Sequence, residues 1–347
     1  MRAMYFWILC GLAGLPSPGR GATHVWTGGG ATGYWSDASN WQASGAPQPG
    51  EAGIVLVFAS GGARLNSTND LNGLVLDQLQ FGGNHYVLNG TAALALQPGN
   101  GDSIAATGNS NRVNLPIVFQ GTHSISVAEG AALAFGGRLS GPGGFTLAGG
   151  GLLAVAPAAG VDNTFQGQAR VYAGILQLES GHTNDIFGTR YYAAAIPGSM
   201  VVGDAFSSAP AILSGMAMSP TTDLTLIGQG QYQVNGDMLA FGSLSGDGFV
   251  DFQGQSFKVG GNNQSTVFSG SMNGRSDAGL QKIGTGTLEL SGKDTGPVFL
   301  GVMEGGLRLD GDFSQSTAIV GQSMNGGSPP RLDGNGRLSA IPSQMVR

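Results

Sequence analysis

The chain has 347 residues, including 63 glycines, and only 10% of its residues are charged. The glycine share is well over twice the usual ~7%, while 41% hydrophobic residues are enough for a packed core and exclude a charge-rich disordered chain. With 15 Lys and Arg residues and a net charge of −6, the chain lacks the basic surface of a nucleic-acid-binding protein, so we expect no nucleic-acid partner.

Residues 1–22 are typical of a secretory signal peptide. Arg2 precedes an apolar run, and a stretch rich in Pro and Gly then ends at Ala22. The apolar run is shorter than the ~20 residues of a membrane-spanning helix. We therefore predict cleavage between Ala22 and Thr23 and secretion of the mature chain. Cys10, the only cysteine, lies in this segment, so the mature chain would contain no disulfide and no cysteine nucleophile.

The next segment, 23–53, contains every tryptophan of the predicted mature chain. Its large aromatic residues are Trp26, Tyr34, Trp35 and Trp41. With Asp37 and Asn40 nearby, these rings suggest a surface that stacks on a sugar. Alternatively, the rings cover the open apolar end of a stacked structure, because the large apolar side chain of tryptophan can shield that end from water. We favour the second interpretation and predict an N-terminal cap.

From residue 54 onward, apolar residues recur with period two rather than 3.6. Typical runs are LVLDQLQF (74–81), ISVAEGAALAF (125–135) and GLRLDG (306–311), each bounded by Gly, Asn, Asp or Ser. No glycine-free window of twelve residues has the pattern of an amphipathic helix. The sequence therefore predicts an all-β protein.

Internal repeats favour one β architecture. LSGPGGFTLAGGGLLAVA (139–156), LSGDGFVDF (244–252) and LQKIGTGTLELSG (280–292) each join a leucine and a glycine-rich turn to a short strand. Such units cannot bury their apolar faces alone, but stacked coils share a continuous core, so we predict a β-solenoid of about 13–16 coils.

The alternation within the best repeat predicts which residues face the core. Leu288 and Leu290 should point inward and Glu289 outward, and Leu307 and Leu309 should point inward in the same way. Glycines at the corners should supply positive φ values or tight bends.

The stretch 279–311 resembles the autotransporter-associated β-strand repeat. The matching residues are Leu280, Lys282, Gly284, Gly286, Thr287, Leu288, Leu290, Ser291, Gly292, Gly306, Leu307 and Leu309. Segments 239–274, 124–151 and 25–41 are similar to the regions that precede this repeat. The resemblance implies a right-handed parallel β-helix that is carried to the bacterial surface as a secreted passenger.

Many members of that family end in an outer-membrane barrel, and some end in a sorting tail. The 35 residues that follow Asp312 do not contain either, because even an eight-stranded barrel needs roughly 80 residues in its strands. We therefore expect an outer-membrane translocator that is supplied elsewhere or missing from this chain. Either the sequence is part of a longer protein, or the chain is released or held by another component.

The sequence contains no recognisable catalytic grouping. The four histidines, His24, His85, His123 and His182, have no metal-binding spacing, and GRLSG (137–141) has leucine in place of the serine of a nucleophile elbow. A carboxylate pair for glycoside hydrolysis could come from adjacent coils, for example Asp247 or Asp251 with Asp277. Aspartates in glycine-rich turns are explained by turn chemistry. We predict no catalytic, cofactor-binding or metal-binding residues and no cofactor.

The predicted architecture is all-β: a right-handed parallel β-helix with an N-terminal cap. Its segments are a signal peptide (1–22), a tryptophan-rich cap (23–53), a solenoid (54–312) whose best-kept repeat is 279–311, and terminal coils or a truncated end (313–347). The predicted function is a secreted or cell-surface structural scaffold of adhesion type, without catalytic activity. The ligand would be a surface glycan or a component of a host or neighbouring cell. The alternatives are a β-helical polysaccharide lyase or glycoside hydrolase, or a glycan-binding module.

Overall fold

The computed structural model describes residues 21–42, 45–99, 101–158, 160–179, 182–184, 190–192, 195–215, 218–235, 240–321 and 328–340. Within these segments the chain is all-β, and the only helical element is a single 3-10 turn, Ala38–Asn40. No helix in this part of the chain is long and apolar enough to span a membrane. The predicted signal segment up to residue 20, including Cys10, lies outside the described residues.

The described chain forms short strands separated by tight turns. The first twelve are β1 (Thr23–Val25), β2 (Ala52–Phe58), β3 (Asn66–Asn69), β4 (Val75–Phe81), β5 (Val87–Gly90), β6 (Leu94–Leu96), β7 (Asp102–Ala106), β8 (Asn111–Val113), β9 (Ile117–Phe119), β10 (His123–Val127), β11 (Ala132–Phe135) and β12 (Leu139–Ser140). The next twelve are β13 (Phe145–Ala148), β14 (Leu152–Val155), β15 (Ala169–Val171), β16 (Gly174–Leu178), β17 (His182–Asn184), β18 (Arg190–Tyr192), β19 (Met200–Asp204), β20 (Ala211–Gly215), β21 (Asp223–Gly228), β22 (Gly230–Gln233), β23 (Ala240–Phe241) and β24 (Ser243–Gly246). The last twelve are β25 (Phe249–Asp251), β26 (Phe257–Val259), β27 (Thr266–Phe268), β28 (Ser271–Asn273), β29 (Gly279–Lys282), β30 (Thr287–Leu290), β31 (Lys293–Asp294), β32 (Phe299–Val302), β33 (Gly306–Leu309), β34 (Asp312–Val320), β35 (Arg331–Asp333) and β36 (Arg337–Ala340).

These strands stack into three parallel ladders that form a β-solenoid of about 12 coils, so the predicted all-β class and parallel β-solenoid are confirmed, while the N-terminal cap stays a prediction. Ladder 1 runs through β1, β2, β4, β7, β10, β13, β15, β19, β21, β24, β27, β30, β33 and β35. Ladder 2 runs through β3, β5, β8, β11, β14, β16, β20, β22, β25, β28, β31, β34 and β36. Ladder 3 contains β6, β9 and β12 and, further along, β23, β26, β29 and β32. We call the connection from ladder 1 to ladder 2 in each coil the 1–2 corner.

The coil number lies at the lower edge of the predicted range. Long connections take up residues that an even division of the chain would assign to further coils. One such connection joins β1 to β2, and another joins β16 to β19 and contains the antiparallel pair β17 and β18.

One continuous apolar core lies inside the ladders. In the best-kept repeat, Leu288 and Leu290 are buried and Glu289 faces outward, and Leu307 and Leu309 are buried in the following coil. The register stacks Leu288 on Leu307 and Leu290 on Leu309. The predicted inward and outward faces of this repeat are therefore confirmed.

A column of glycines at the 1–2 corner accounts for part of the high glycine content. Its members in successive coils are Gly230, Gly248, Gly270, Gly292 and Gly311. A Cβ atom at Gly292 would lie far inside van der Waals contact with the carbonyl oxygen of Gly270, although Gly292 is outside the left-handed region of φ. Close approach of the coils therefore selects glycine in this column. The predicted positive φ does occur elsewhere, for example at Gly284, where φ is 70°.

The ladders extend past the predicted solenoid limits of 54–312 at both ends. β1 belongs to the predicted cap segment, yet it pairs in parallel with β2 and places Thr23 opposite Val55. β34 crosses residue 312, and β35 and β36 continue ladders 1 and 2 into the predicted terminal segment. Residues 328–340 therefore contribute a further coil.

Candidate functional site

Three tryptophans pack around one phenylalanine at the N-terminal end of the solenoid. Trp26, Trp35 and Trp41 are at most 5% exposed, and Phe58 is fully buried. The ring of Trp41 is nearly perpendicular to those of Trp26 and Trp35, with centroids 5.1 and 6.0 Å apart, which is the favoured edge-to-face geometry. Trp26 and Trp41 donate hydrogen bonds of 2.8 Å to the carbonyls of Arg64 and Trp35. These indoles are thus part of the core.

Tyr34, the fourth predicted aromatic residue, is 51% exposed. Its loop is held by Asn40, whose amide donates to the carbonyls of Thr32 and Tyr34 at 3.0 and 2.9 Å. Hydrogen bonds from Ser39 and Thr32 lower the pKa of Asp37. Both polar side chains that were expected beside a stacked sugar therefore have partners within the loop. Of the four aromatic residues, Tyr34 is the one that presents its ring to solvent.

The predicted cleavage site lies at the start of the described chain. The carbonyl of Ala22 accepts a hydrogen bond from the amide of Val55 at 3.0 Å, and Thr23 begins β1. A chain cut between Ala22 and Thr23 would therefore begin with the first strand of ladder 1. Cleavage itself stays a prediction.

A buried Ser–His pair occurs inside the solenoid. Nδ1 of His123 lies 2.9 Å from Oγ of Ser103. The amide nitrogen of Gly121 lies 3.3 Å from Nε2 of His123, and the ring also has a hydrogen-bond contact with the backbone of Leu96. Burial lowers the pKa of His123, and Asp102 faces the opposite side of its strand from Ser103. The pair is a hydrogen bond of the core.

Two aspartates at the surface of the solenoid join neighbouring coils. Asp247 accepts a hydrogen bond of 2.8 Å from the amide of Gly228, and Asp310 accepts one of 3.0 Å from the amide of Asn335. The side chain of Arg308, 2.5 Å from Asp310, lowers the pKa of that carboxyl further. Both carboxylates therefore have structural partners.

The carboxylates considered as a hydrolytic pair are spread over two parts of the coil. Asp247 lies at the 1–2 corner between β24 and β25, whereas Asp277 lies between β28 and β29, where ladder 2 leads to ladder 3. Asp251 ends β25 and accepts a hydrogen bond of 3.3 Å from Asn273. In the described part of the chain, no group of three or more His, Cys, Asp or Glu side chains is placed to hold a metal ion.

Among the described residues beyond the N-terminal segment, the most exposed aromatic side chains were not predicted from the sequence. Phe206 is 97% exposed and Tyr172 is 42% exposed. They occupy the 1–2 corner in successive coils, because β15 pairs with β19 before this corner and β16 pairs with β20 after it. Phe206 belongs to the short stretch AFSSAP (205–210), where no alternating pattern indicates which way a side chain points.

No protein-family model matches the chain, and no curated protein or solved structure matches it either. The resemblance of 279–311 to the autotransporter-associated repeat therefore stays a prediction from the sequence. The structure itself defines the class of protein as a parallel β-solenoid.

Proposed function

We propose that the chain is a non-catalytic scaffold of adhesion type, secreted or displayed at the surface of a bacterium. The observation that carries this proposal is the continuous stacking of ladder 1 from β1 to β35 around one core. In such an array each coil contacts mainly its neighbours, so the structure grows in one dimension. This geometry suits a spacer that presents binding surfaces at a distance from the cell.

The use of carboxylates in this solenoid supports the same proposal. Asp247, Asp294 and Asp310 each accept a hydrogen bond from a backbone N–H of a neighbouring coil. Each of these carboxylates is therefore occupied by a backbone donor of a neighbouring coil. These three groups are thus better suited to joining coils than to proton transfer.

The proposed localisation, outside the cell or at its surface, rests on the sequence. Segment 1–22 has the features of a signal peptide, with the cut between Ala22 and Thr23, and segment 279–311 resembles a repeat of surface passengers. An outer-membrane translocator, supplied by another chain or by a continuation of this one, would complete the export route.

The proposed localisation is tested by treating intact cells of the source bacterium with protease and detecting the chain with an antibody against the solenoid. We expect the chain to be accessible from outside and its N-terminus to be Thr23. A chain that stays protected from the protease until the cells are lysed contradicts the proposed localisation.

The absence of catalysis is tested by incubating the chain with neutral and acidic polysaccharides. We expect no release of reducing ends or of unsaturated products above the buffer control. Product formation that disappears in Asp251→Asn or Asp277→Asn would instead support the alternative, a polysaccharide lyase or glycoside hydrolase.

A further inference from the structure

The loop that carries Phe206 is fixed by hydrogen bonds although its aromatic ring is exposed. Asp204 accepts from the amide of Phe206 at 2.9 Å, and the hydroxyl of Ser207 accepts from the amide of Ala209 at 3.1 Å. The second carboxylate oxygen of Asp204 is bound by Arg170 of the preceding coil at 2.9 Å. Because the backbone is already held, a ligand that contacts the ring loses little free energy in ordering this loop.

Two exposed rings lie at the same corner of successive coils. Phe206 leaves nearly all of its apolar surface in water, and contact with a ligand would remove that surface from water. Tyr172 occupies the same corner one coil earlier, and stacked strands lie ~4.8 Å apart. One extended ligand running along the axis can therefore contact both rings.

The outer face of ladder 2 beside this corner is uncharged over four successive coils. The outward residues nearest the corner are Leu152, Ile175, Ile212 and Gln231. The second row consists of Ala154, which is buried, and of Gln177, Ser214 and Gln233. The parallel register places the members of each row one above another. Gln and Ser side chains both donate and accept hydrogen bonds, here at intervals of the strand spacing, ~4.8 Å.

Arg170, Asp204 and Glu179, which lie next to these rows, are engaged with partners. Arg170 is paired with Asp204, and Glu179 accepts a hydrogen bond of 2.8 Å from Gln177. The two described rows therefore offer hydroxyl, amide and apolar groups rather than cations to a ligand. A polyanion needs Lys or Arg partners, so the surface favours a neutral ligand.

A sugar chain suits this surface better than a protein does. The aliphatic residues of the first row are only partly exposed, so the freely exposed apolar area is concentrated in Phe206 and Tyr172. A protein partner would need a larger apolar core to its interface. A pyranose ring has an apolar C–H face and a rim of hydroxyls, which match aromatic rings flanked by Gln and Ser side chains.

We propose that Phe206 and Tyr172, together with the uncharged outer rows of ladder 2 beside them, bind a neutral polysaccharide chain that runs along the solenoid axis. This inference rests on the proposed adhesion function and names the ligand class and the surface. Phe206 is the main contact, and Asp204 and Arg170 position its loop.

The test begins with the full chain on an array of neutral glycans (β-glucans, xylan, mannan and chitin oligosaccharides) and acidic ones (polygalacturonate and alginate). The neutral oligosaccharide that binds best is then titrated calorimetrically against the chain and its variants. We expect binding to a neutral glycan, a loss of about tenfold or more in affinity for Phe206→Ala, and a smaller loss for Tyr172→Ala. Phe206→Trp should retain binding.

Tyr34→Ala is the matched control, because it removes a half-exposed aromatic ring at the far N-terminal end and should leave affinity unchanged. Equal affinities of Phe206→Ala and the unaltered chain, binding to acidic glycans alone, or no binding to any neutral glycan would each overturn the proposal. A self-associated species that dissociates in Phe206→Ala, without glycan binding, would make the surface a protein interface. Cell-surface exposure and product release are measured separately, so failure of the scaffold function is distinguishable from failure of this site.

Discussion

Gly292 lies over the carbonyl oxygen of Gly270, and Gly311 lies over that of Gly292 in the next coil. No side chain fits between coils stacked this closely. The glycines of GTGTLELSG (284–292) therefore have two separate causes: positive φ at Gly284 and close approach at Gly292. Glycine is required at these two positions by backbone conformation and by the stacking of the coils, and no ligand is needed to explain it.

We expect Gly292→Ala to lower the free energy of unfolding by about 1–3 kcal/mol, because the methyl group forces two coils apart. Gly198→Ala is the matched control: it also has no left-handed φ, and a Cβ there has no heavy atom closer than 4.0 Å. The control should change stability by less than about 0.5 kcal/mol. Denaturant unfolding of both variants checks this, and equal stabilities would contradict the close-approach argument.

Lys282 is a second residue whose role is set by its position in the coil. Its side chain is buried, and Nζ donates to the carbonyls of Ile283 and Gly284 at 2.6 and 2.8 Å. Burial lowers the pKa of Lys282 to about 8, and the nearby charge of Glu304 opposes this shift. The lysine of the repeat therefore acts as an internal hydrogen-bond donor at the corner that leads from β29 in ladder 3 to β30 in ladder 1.

This lysine predicts a pH dependence of stability. In the unfolded chain a lysine has a pKa of ~10.4, so between pH about 8 and ~10.4 the unfolded chain binds more protons than the folded one. The contribution of Lys282 to stability should therefore rise with pH in that window. Lys282→Met lacks this titration, so its stability deficit relative to the unaltered chain should widen from pH 7 to pH 10. Thermal melts at both pH values check this, and a constant deficit would contradict it.

Among the elements, the N-terminal segment combines one strand of the ladder with a covering loop. β1 extends ladder 1, while the following loop brings Trp26, Trp35 and Trp41 onto Phe58. The indole N–H of Trp35 is buried without a hydrogen-bond partner among the described residues, so its contribution comes from packing. We propose that this cluster closes the end of the core.

Trp35→Ala should lower the unfolding temperature, because replacing a fully buried tryptophan by alanine costs about 3–5 kcal/mol. If the cluster is the cap, the opened end should also promote end-to-end association, which light scattering detects. Tyr34→Ala, a change at the neighbouring exposed ring, should affect neither quantity. An unchanged melting temperature together with an unchanged molecular size would exclude the cap.

For the whole molecule, parallel stacking makes stability a nearly local property. Each coil buries its apolar residues against the coils on either side, so a weakened coil affects its neighbours first. Coils near an end have fewer neighbours than central ones and open at a lower free energy.

Leu309→Ala and Leu147→Ala test this locality, because both remove a buried leucine from ladder 1, one near the C-terminal end and one near the middle. Each should cost about 2–5 kcal/mol. In hydrogen-exchange measurements, Leu309→Ala should speed exchange in β30, β33 and β35 while leaving β10 and β13 unchanged, and Leu147→Ala should act on β10, β13 and β15. Uniformly faster exchange in both variants would contradict a one-dimensional array.

The sequence by itself determined the all-β class, the stacking of repeats and the inward position of Leu288 and Leu290. These features depend on local alternation and on glycine spacing, and both can be read within one coil. The sequence also singled out the aromatic residues of the N-terminal segment. Which of them are buried, the three indoles but not Tyr34, follows from tertiary packing.

Only the tertiary structure decided which distant residues meet. Tyr172 and Phe206 share a corner because the pairs β15–β19 and β16–β20 align two successive coils. The hydrogen bond between His123 and Ser103 likewise depends on two strands that meet only when coils stack. The physical reason is that register between coils depends on the lengths of their connections, which vary along this chain and follow no repeat.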